Sequence, residues 1–132
     1  MTLNIRVIAP DRTVWDANAE EVILPSSTGQ LGILTGHIPL LTALDIGVMR
    51  VRIDKDWVPI VLMGGFAEID NNKITILVNG AEETIDIDIS LAQKNLEEAT
   101  AKLTQAISTK DKIEATQNIR KARARLQAVV TI

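Results

Sequence analysis

The stretch "ITILVNGAEETIDIDISLAQKNLEEATAKL", residues 74–103, changes its period part-way along. Ile74, Ile76 and Val78 recur at every second residue, the spacing of a strand that buries one face. Asn79-Gly80 then signals a turn. Beyond it Ala92, Leu96, Ala99, Leu103 and Ala106 recur at alternating spacings of four and three, which is one face of a helix. The chain therefore divides near this point into a strand-forming part and a helical part.

Working upstream, the same two-residue period returns. In "LNIRVIA" (3–9) Leu3, Ile5 and Val7 share a side. "EEVILP" (20–25) is a short apolar run with acidic flanks. "GVMRVRI" (47–53) sets Val48, Arg50 and Arg52 against Met49, Val51 and Ile53. "WVPIVLM" (57–63) is nearly all apolar, as a strand covered on both faces would be. Pro10-Asp11, Ser26 to Gly29, 45–47, 54–56 and Asn71-Asn72 supply turn signals between the runs. Short strands at this spacing predict a β-sandwich or barrel.

Downstream, Ala115, Ile119, Ala122, Leu126 and Val129 repeat the helical pattern. Ser90 with Gln93, and Asp111 with Glu114, offer capping boxes. "STKD" (108–111) is a short connection, so the two helices should lie antiparallel. Alanine brings helices close while burying little apolar area, and each helix alone is marginal in water. The hairpin is thus expected to be weakly held and a candidate moving part. The division reads as a β-sandwich over 1–86 and an antiparallel helical hairpin over 87–132.

Composition narrows the chemistry. The 132 residues are 46% apolar but only 2% aromatic, so Ile, Leu, Val and Ala must build the core. Without cysteine there is no disulfide, thiolate ligand or Cys nucleophile. No signal peptide or membrane-length apolar run is visible. The net charge of −3 is uneven: residues 1–85 carry 6 basic and 11 acidic side chains, and residues 86–132 carry 8 and 6.

His37, the only histidine, lies in "STGQLGILTGHIPLL" (26–40). One histidine without a framed nucleophile or further ligands favours a loop or interface role over catalysis or metal binding. Gly29, Gly32 and Gly36 lack the Gly-Lys-Ser/Thr ending of a phosphate loop and read as turn or close-approach positions. Gly64-Gly65 reads as a bulge or kink between strands. Glu20-Glu21, Glu82-Glu83 and Glu97-Glu98 read as surface charge, since chain neighbours do not face each other. "IRKARARL" (119–126) gathers Arg120, Lys121, Arg123 and Arg125 with no acid from 115 onward. It is either a solvated face or a basic surface for an acidic protein partner. Nucleic-acid binding is the alternative, opposed by the acidic chain and the lack of stacking aromatics there. The residues alone point to a non-enzymatic, two-part interaction protein with no cofactor.

"TVWDANAEEVILPSSTGQLGILTGHIPLLTALDIGVMRV", "LMGGFAEIDNNKITILV" and the hairpin ending "RKARARLQA" together resemble the ε subunit of F-type ATP synthase, in order and over essentially the whole chain. "TVWDA", "MGGFA" and "ARAR" are similar to the plastid and cyanobacterial forms. The resemblance implies a sandwich of about ten strands at the foot of the γ subunit, against the ring of c subunits. Gln30, Leu31, Gly36 and His37 would lie at the ring contact, with Gln30 where many relatives carry an acid. The hairpin would regulate: folded down it rests on the sandwich, and extended it meets the α/β subunits and resists ATP hydrolysis. Arg120, Lys121, Arg123 and Arg125 would then face a β subunit. Some relatives bind ATP through an Ile/Leu-Asp-x-x-Arg-Ala motif, matched here by Ile87, Asp88 and Ala92. Leu91 replaces its arginine, and Lys121 replaces a second one, so ATP binding is expected to be weak or absent. The implied place is peripheral on a thylakoid membrane, on the stromal side in a plastid or the cytoplasmic side in a cyanobacterium, held there only through the complex.

Overall fold

The computed structural model describes residues 2–130; Met1, Thr131 and Ile132, which the ranges 1–86 and 87–132 include, lie outside the described residues. Eight strands come first: β1 (Leu3–Ala9), β2 (Arg12–Ala19), β3 (Glu21–Ser26), β4 (Gly29–Leu34), β5 (Leu40–Ile53), β6 (Asp56–Asp70), β7 (Lys73–Val78) and β8 (Ala81–Glu83). A 3-10 turn (Thr84–Asp86) leads into α1 (Ile89–Gln105) and α2 (Thr109–Val130).

The expected ten strands are eight, because two of them serve twice. β5 and β6 are 14 and 15 residues long and pair antiparallel along almost their whole length. Their register breaks once, where Asp45 and Gly64 drop out between the Leu44↔Gly65 and Ile46↔Met63 pairs. Residues 65–70 of β6 pair with β7, β7 with β1, and β1 with β2. Across the break, residues 60–62 of β6 pair with β8, and β5 pairs with β3, which carries β4. Each layer thus holds five segments, and β5 and β6 bend from one to the other.

Glycine makes the bend possible. Gly64 (φ +83°) and Gly65 (φ +154°) occupy backbone conformations that side chains disfavour. A Cβ at Gly65 would strike the Leu77 carbonyl oxygen and lie 2.8 Å from Val78 Cα. The hairpin turns carry their own left-handed pairs, Asp54-Lys55 and Asn71-Asn72, which match the twist of the flanking strands.

Between the layers lies one aliphatic core. Leu3, Ile5 and Val7 of β1 and Ile74 and Ile76 of β7 meet Val22, Leu24, Met49, Val51, Ile60 and Leu62 of the other layer. The shared faces read for β1 and β7 are the buried ones, and of the two faces of β5 it is that of Met49 and Val51 that enters this core. A second, smaller cluster covers the outside of β5 and β6. Val48 and Val61 meet Ala124 and Ala128 of α2, with Ile46, Met63 and Ile87 at its margin. That explains "WVPIVLM": Ile60 and Leu62 face the sandwich core while Val61 faces the helix.

The hairpin seam follows the predicted pattern, with Ala92, Ala99, Ala115, Ile119 and Ala122 buried and Leu96, Leu103, Leu126 and Val129 half-buried. α2 packs against both α1 and the sheet, whereas α1 packs against α2. Both predicted caps are displaced. Asp88, not Ser90, caps α1, its carboxylate accepting from the Leu91 N–H at 3.1 Å. Ser108, not Asp111, caps α2 and accepts from the Asp111 N–H at 3.1 Å. The connection between helices is accordingly 106–108.

Candidate interaction sites

The structure separates the four residues assigned to the glycine-rich segment. Gln30 and Leu31 sit on the edge strand β4, opposite Pro25 and Leu24 of β3. Gln30 is exposed, while Leu31 packs against the main core. Gly36 and His37 lie beyond the other end of β4, in the connection to β5. There the Gly36 N–H donates to Asn72 Oδ1 at 2.7 Å, tying this connection to the β6–β7 turn. His37 Nδ1 lies 2.6 Å from the Ile38 carbonyl oxygen, which only an N–H on that nitrogen can bond. The ring therefore holds its own loop. Gly36 needs its φ of +84°, but Gly32 has ordinary φ and open space around its Cα, so nothing within the chain requires a glycine at 32.

The four cations of α2 divide differently. Arg120 and Arg123 are exposed and Lys121 is half-buried, and none of the three forms a salt bridge among the described residues. Lys121 lines a polar cleft between the helices with Asn95, Glu98, Lys102, Asn118 and Arg125. Arg125 is bound: its Nε and Nη2 donate to the two oxygens of Glu82 at 2.8 and 2.7 Å. This fork-to-fork pairing is the geometry a guanidinium and a carboxylate favour. It raises the Arg125 pKa above the ordinary arginine range, hydrogen bonding outweighing the opposing effect of burial. A raised folded-state value adds stability at all pH below the unfolded value, so Arg125 stays charged throughout the physiological range.

Each of the three acidic pairs read as surface charge has an ion-paired member, though Glu98 meets Lys94 only at 4.0 Å on the exposed face of α1. Glu82 meets Arg125, and Glu20 and Glu21 share Arg52 at 2.7 and 3.3 Å. Arg52 also lies over the Trp57 ring, 5.9 Å from its centroid. Sequence offered no signal for Glu82, because its partner lies 43 residues away.

The residues of the degenerate nucleotide motif have other structural roles. Asp88 caps α1, Ile87 packs at the margin of the outer cluster, and Ala92 is buried in the helix seam. Leu91, at the arginine position, is exposed and supplies no cation. With Arg125 engaged by Glu82, the cleft offers Lys102 and Lys121 as point charges but no free guanidinium fork for phosphate. Calorimetric titration with ATP should show no micromolar binding; a micromolar Kd would mean that these groups rearrange around a nucleotide.

Sandwich, bend and hairpin coincide with two family models. The β-sandwich domain of the ATP synthase delta/epsilon chain matches residues 2–84, and the long α-helix domain of that chain matches residues 86–129. The chain belongs to the ATP synthase delta/epsilon family. Its place is that of a structural and regulatory subunit rather than a catalytic one. It is 77% identical over 128 residues to the chloroplastic ATP synthase epsilon chain of Porphyra purpurea, covering 97% of this chain and 96% of that one. To the epsilon chain of Thermosynechococcus vestitus it is 63% identical over 131 residues, covering 97% and 95%. A chain in the Euglena gracilis mitochondrial ATP synthase OSCP/F1/c-ring structure superposes with a TM-score of 0.86 at 22% identity, over 98% of this chain and 81% of that one. A chain from the Tetrahymena thermophila central stalk and c-ring gives 0.69 at 14% identity, over 98% of each. At these identities the two superpositions show a shared fold. No helix among the described residues is long and apolar enough to cross a membrane. The nucleic-acid alternative finds no support in any of these comparisons.

Proposed function

We propose that residues 1–86 anchor this subunit between the γ subunit and the c-ring, and that residues 87–132 act as a brake on ATP hydrolysis. The observation that carries this reading is the unequal packing. The sandwich has a continuous aliphatic core, while the hairpin adheres through a patch centred on Val48, Val61, Ala124 and Ala128. Burying alanine contributes little compared with burying leucine, so the hairpin can leave at small cost. Extended, it would offer Arg120, Lys121, Arg123 and Arg125 to an acidic β-subunit surface.

The two ends of β4 suit different neighbours. Exposed Gln30 and half-buried Leu31 would meet the c-ring. The loop of Gly36 and His37 would shape the adjoining edge. An apolar row on the outer face of the first layer, with Phe66 paired to Ala43 and Leu77, suits γ; Phe66 and Leu77 are both more than half exposed. High identity to chloroplastic and cyanobacterial relatives supports a peripheral site on a thylakoid membrane, reached through the complex.

The test uses the catalytic complex stripped of this subunit. Adding the full chain should slow ATP hydrolysis. A chain ending after Asp88 should bind comparably and leave hydrolysis fast. Equal inhibition by both would put the brake in the sandwich, and absence of binding by both would remove the anchor assignment.

A further inference from the structure

The bond between Glu82 and Arg125 ties the two parts of the molecule at a point where apolar packing is thin. Glu82 belongs to β8, whose Glu82 and Glu83 pair with Val61 and Ile60 of β6. Arg125 lies between Ala124 and Ala128, the two small residues that seat α2 on the sheet. Both partners are mostly shielded, with side-chain exposures of 29% and 26%. Such a pair is screened less than an exposed surface pair. It contributes direction as well as energy, because two parallel N–H···O bonds fix the rotation of α2.

We propose that Glu82 and Arg125 form a latch: the carboxylate holds the hairpin down and withholds one cation from the brake until the hairpin opens. The inference rests on the brake reading above and goes beyond it. Topology makes the two states exclusive. Glu82 is fixed in the sheet by the β8–β6 ladder, so any movement of α2 away from the sandwich breaks the fork. Among the described residues, Arg120, Lys121 and Arg123 have no salt bridge to lose, and Arg120 and Arg123 are already exposed in the folded state. Arg125 alone among the four must exchange an internal acid for an external one. Arg125 thus adds to the shift toward extension only the excess of an acidic partner's grip on it over that of Glu82, whereas the other three cations add their contacts in full. The latch sets the threshold for extension, a role that needs no nucleotide.

Two conservative variants separate this from a general packing role. Glu82→Gln removes the acid and keeps the cation; Arg125→Gln removes both the latch and the cation. In the isolated full-length chain, each should speed hydrogen exchange of α2 amides about tenfold, the scale of losing a charged hydrogen-bonded pair. Amides of β1, β5 and β7 should be unchanged, showing that the sandwich is intact. In the complex, Glu82→Gln should inhibit hydrolysis more strongly than the native chain, whereas Arg125→Gln should not. Unchanged α2 exchange in Glu82→Gln overturns the latch. Equal strengthening of inhibition by both variants overturns the claim that Arg125 is withheld. If the native full chain inhibits no more than the chain ending after Asp88, the brake reading fails instead, and the exchange data still decide whether the latch exists.

Discussion

Replacing Gly65 by alanine should unfold the sandwich at temperatures where the native chain is stable. The reason lies in what surrounds the missing side chain. Its Cβ would overlap the Leu77 carbonyl oxygen and crowd Leu77 C and Val78 Cα at 2.9 and 2.8 Å. All three are backbone atoms of β7. That strand is bonded to β6 on one side and β1 on the other, so it cannot retreat without breaking a ladder. Backbone strain at φ +154° adds about 1–3 kcal/mol, and overpacking a further 1–3 kcal/mol. The sum, about 2–6 kcal/mol, is a large fraction of the stability of a domain this size, about 5–15 kcal/mol. Gly64→Ala is the control. Its Cβ would lie 3.6 Å from the Leu44 carbonyl oxygen, an ordinary contact, leaving only the strain of φ +83°. Thermal unfolding followed by circular dichroism should show Gly65→Ala melting at least about 10 °C lower, since 1 kcal/mol shifts such a domain by about 4–8 °C. A melt within a few degrees of native would mean that β6 changes layers somewhere other than at Gly64-Gly65.

That bend shows how far the sequence could be read. "GG" marked a kink, but not that one strand continues through it into a second layer, and so not that ten segments are eight strands. Where a face is wholly buried, the pattern was legible: Leu3, Ile5 and Val7, or Ile74 and Ile76, admit one orientation only. β2 and β4 were not legible as strands. In "RTVWDANA" the apolar pair Val14-Trp15 is adjacent and half-buried. In "GQLGIL" two glycines dilute the alternation, and Ile33 alone is fully buried. The seam between the helices followed from spacing because leucine or isoleucine alternates with its alanines, yet the second face of α2, Ala124 and Ala128, did not, because Gln117 and Lys121 precede them at helical spacing and no larger apolar residue marks that face. The site was legible in its residue types and not in its arrangement. The cluster of four cations stood out, but that Arg125 alone is engaged depends on where the short β8 pairs along β6 and how α2 is rotated. The segment of Gln30 and His37 looked like one loop; a strand runs between them.

Ala128→Asp should release the hairpin and leave the sandwich standing. Ala128 is fully buried against Val48 and Val61. An aspartate there would either lie unpaired among aliphatic groups, which costs several kcal/mol, or push α2 into solvent. Leaving is the cheaper course. Few methylenes are buried between α2 and the sheet, each contributing about 0.8 kcal/mol. α1 would follow α2, since its packing partner is α2 and not the sheet. Ala99→Asp or Leu96→Asp, on the seam between the helices, should act differently: α1 separates while α2 remains seated through Ala124 and Ala128. Trypsin distinguishes the cases, because Arg120, Lys121, Arg123 and Arg125 all lie on α2. Ala128→Asp should raise the cleavage rate there about tenfold or more, in proportion to the open population. Ala99→Asp should raise it less and make the α1 backbone after Lys94 and Lys102, whose side chains are already exposed, cleavable instead. In both variants a resistant fragment close to residues 1–86 should persist, and the main thermal transition should shift little. If Ala128→Asp lowers that transition as steeply as Gly65→Ala, the hairpin and sandwich unfold as one cooperative unit. A helical pair that cannot leave without melting its anchor could not extend along a neighbouring subunit, and the brake would have to act from the folded position.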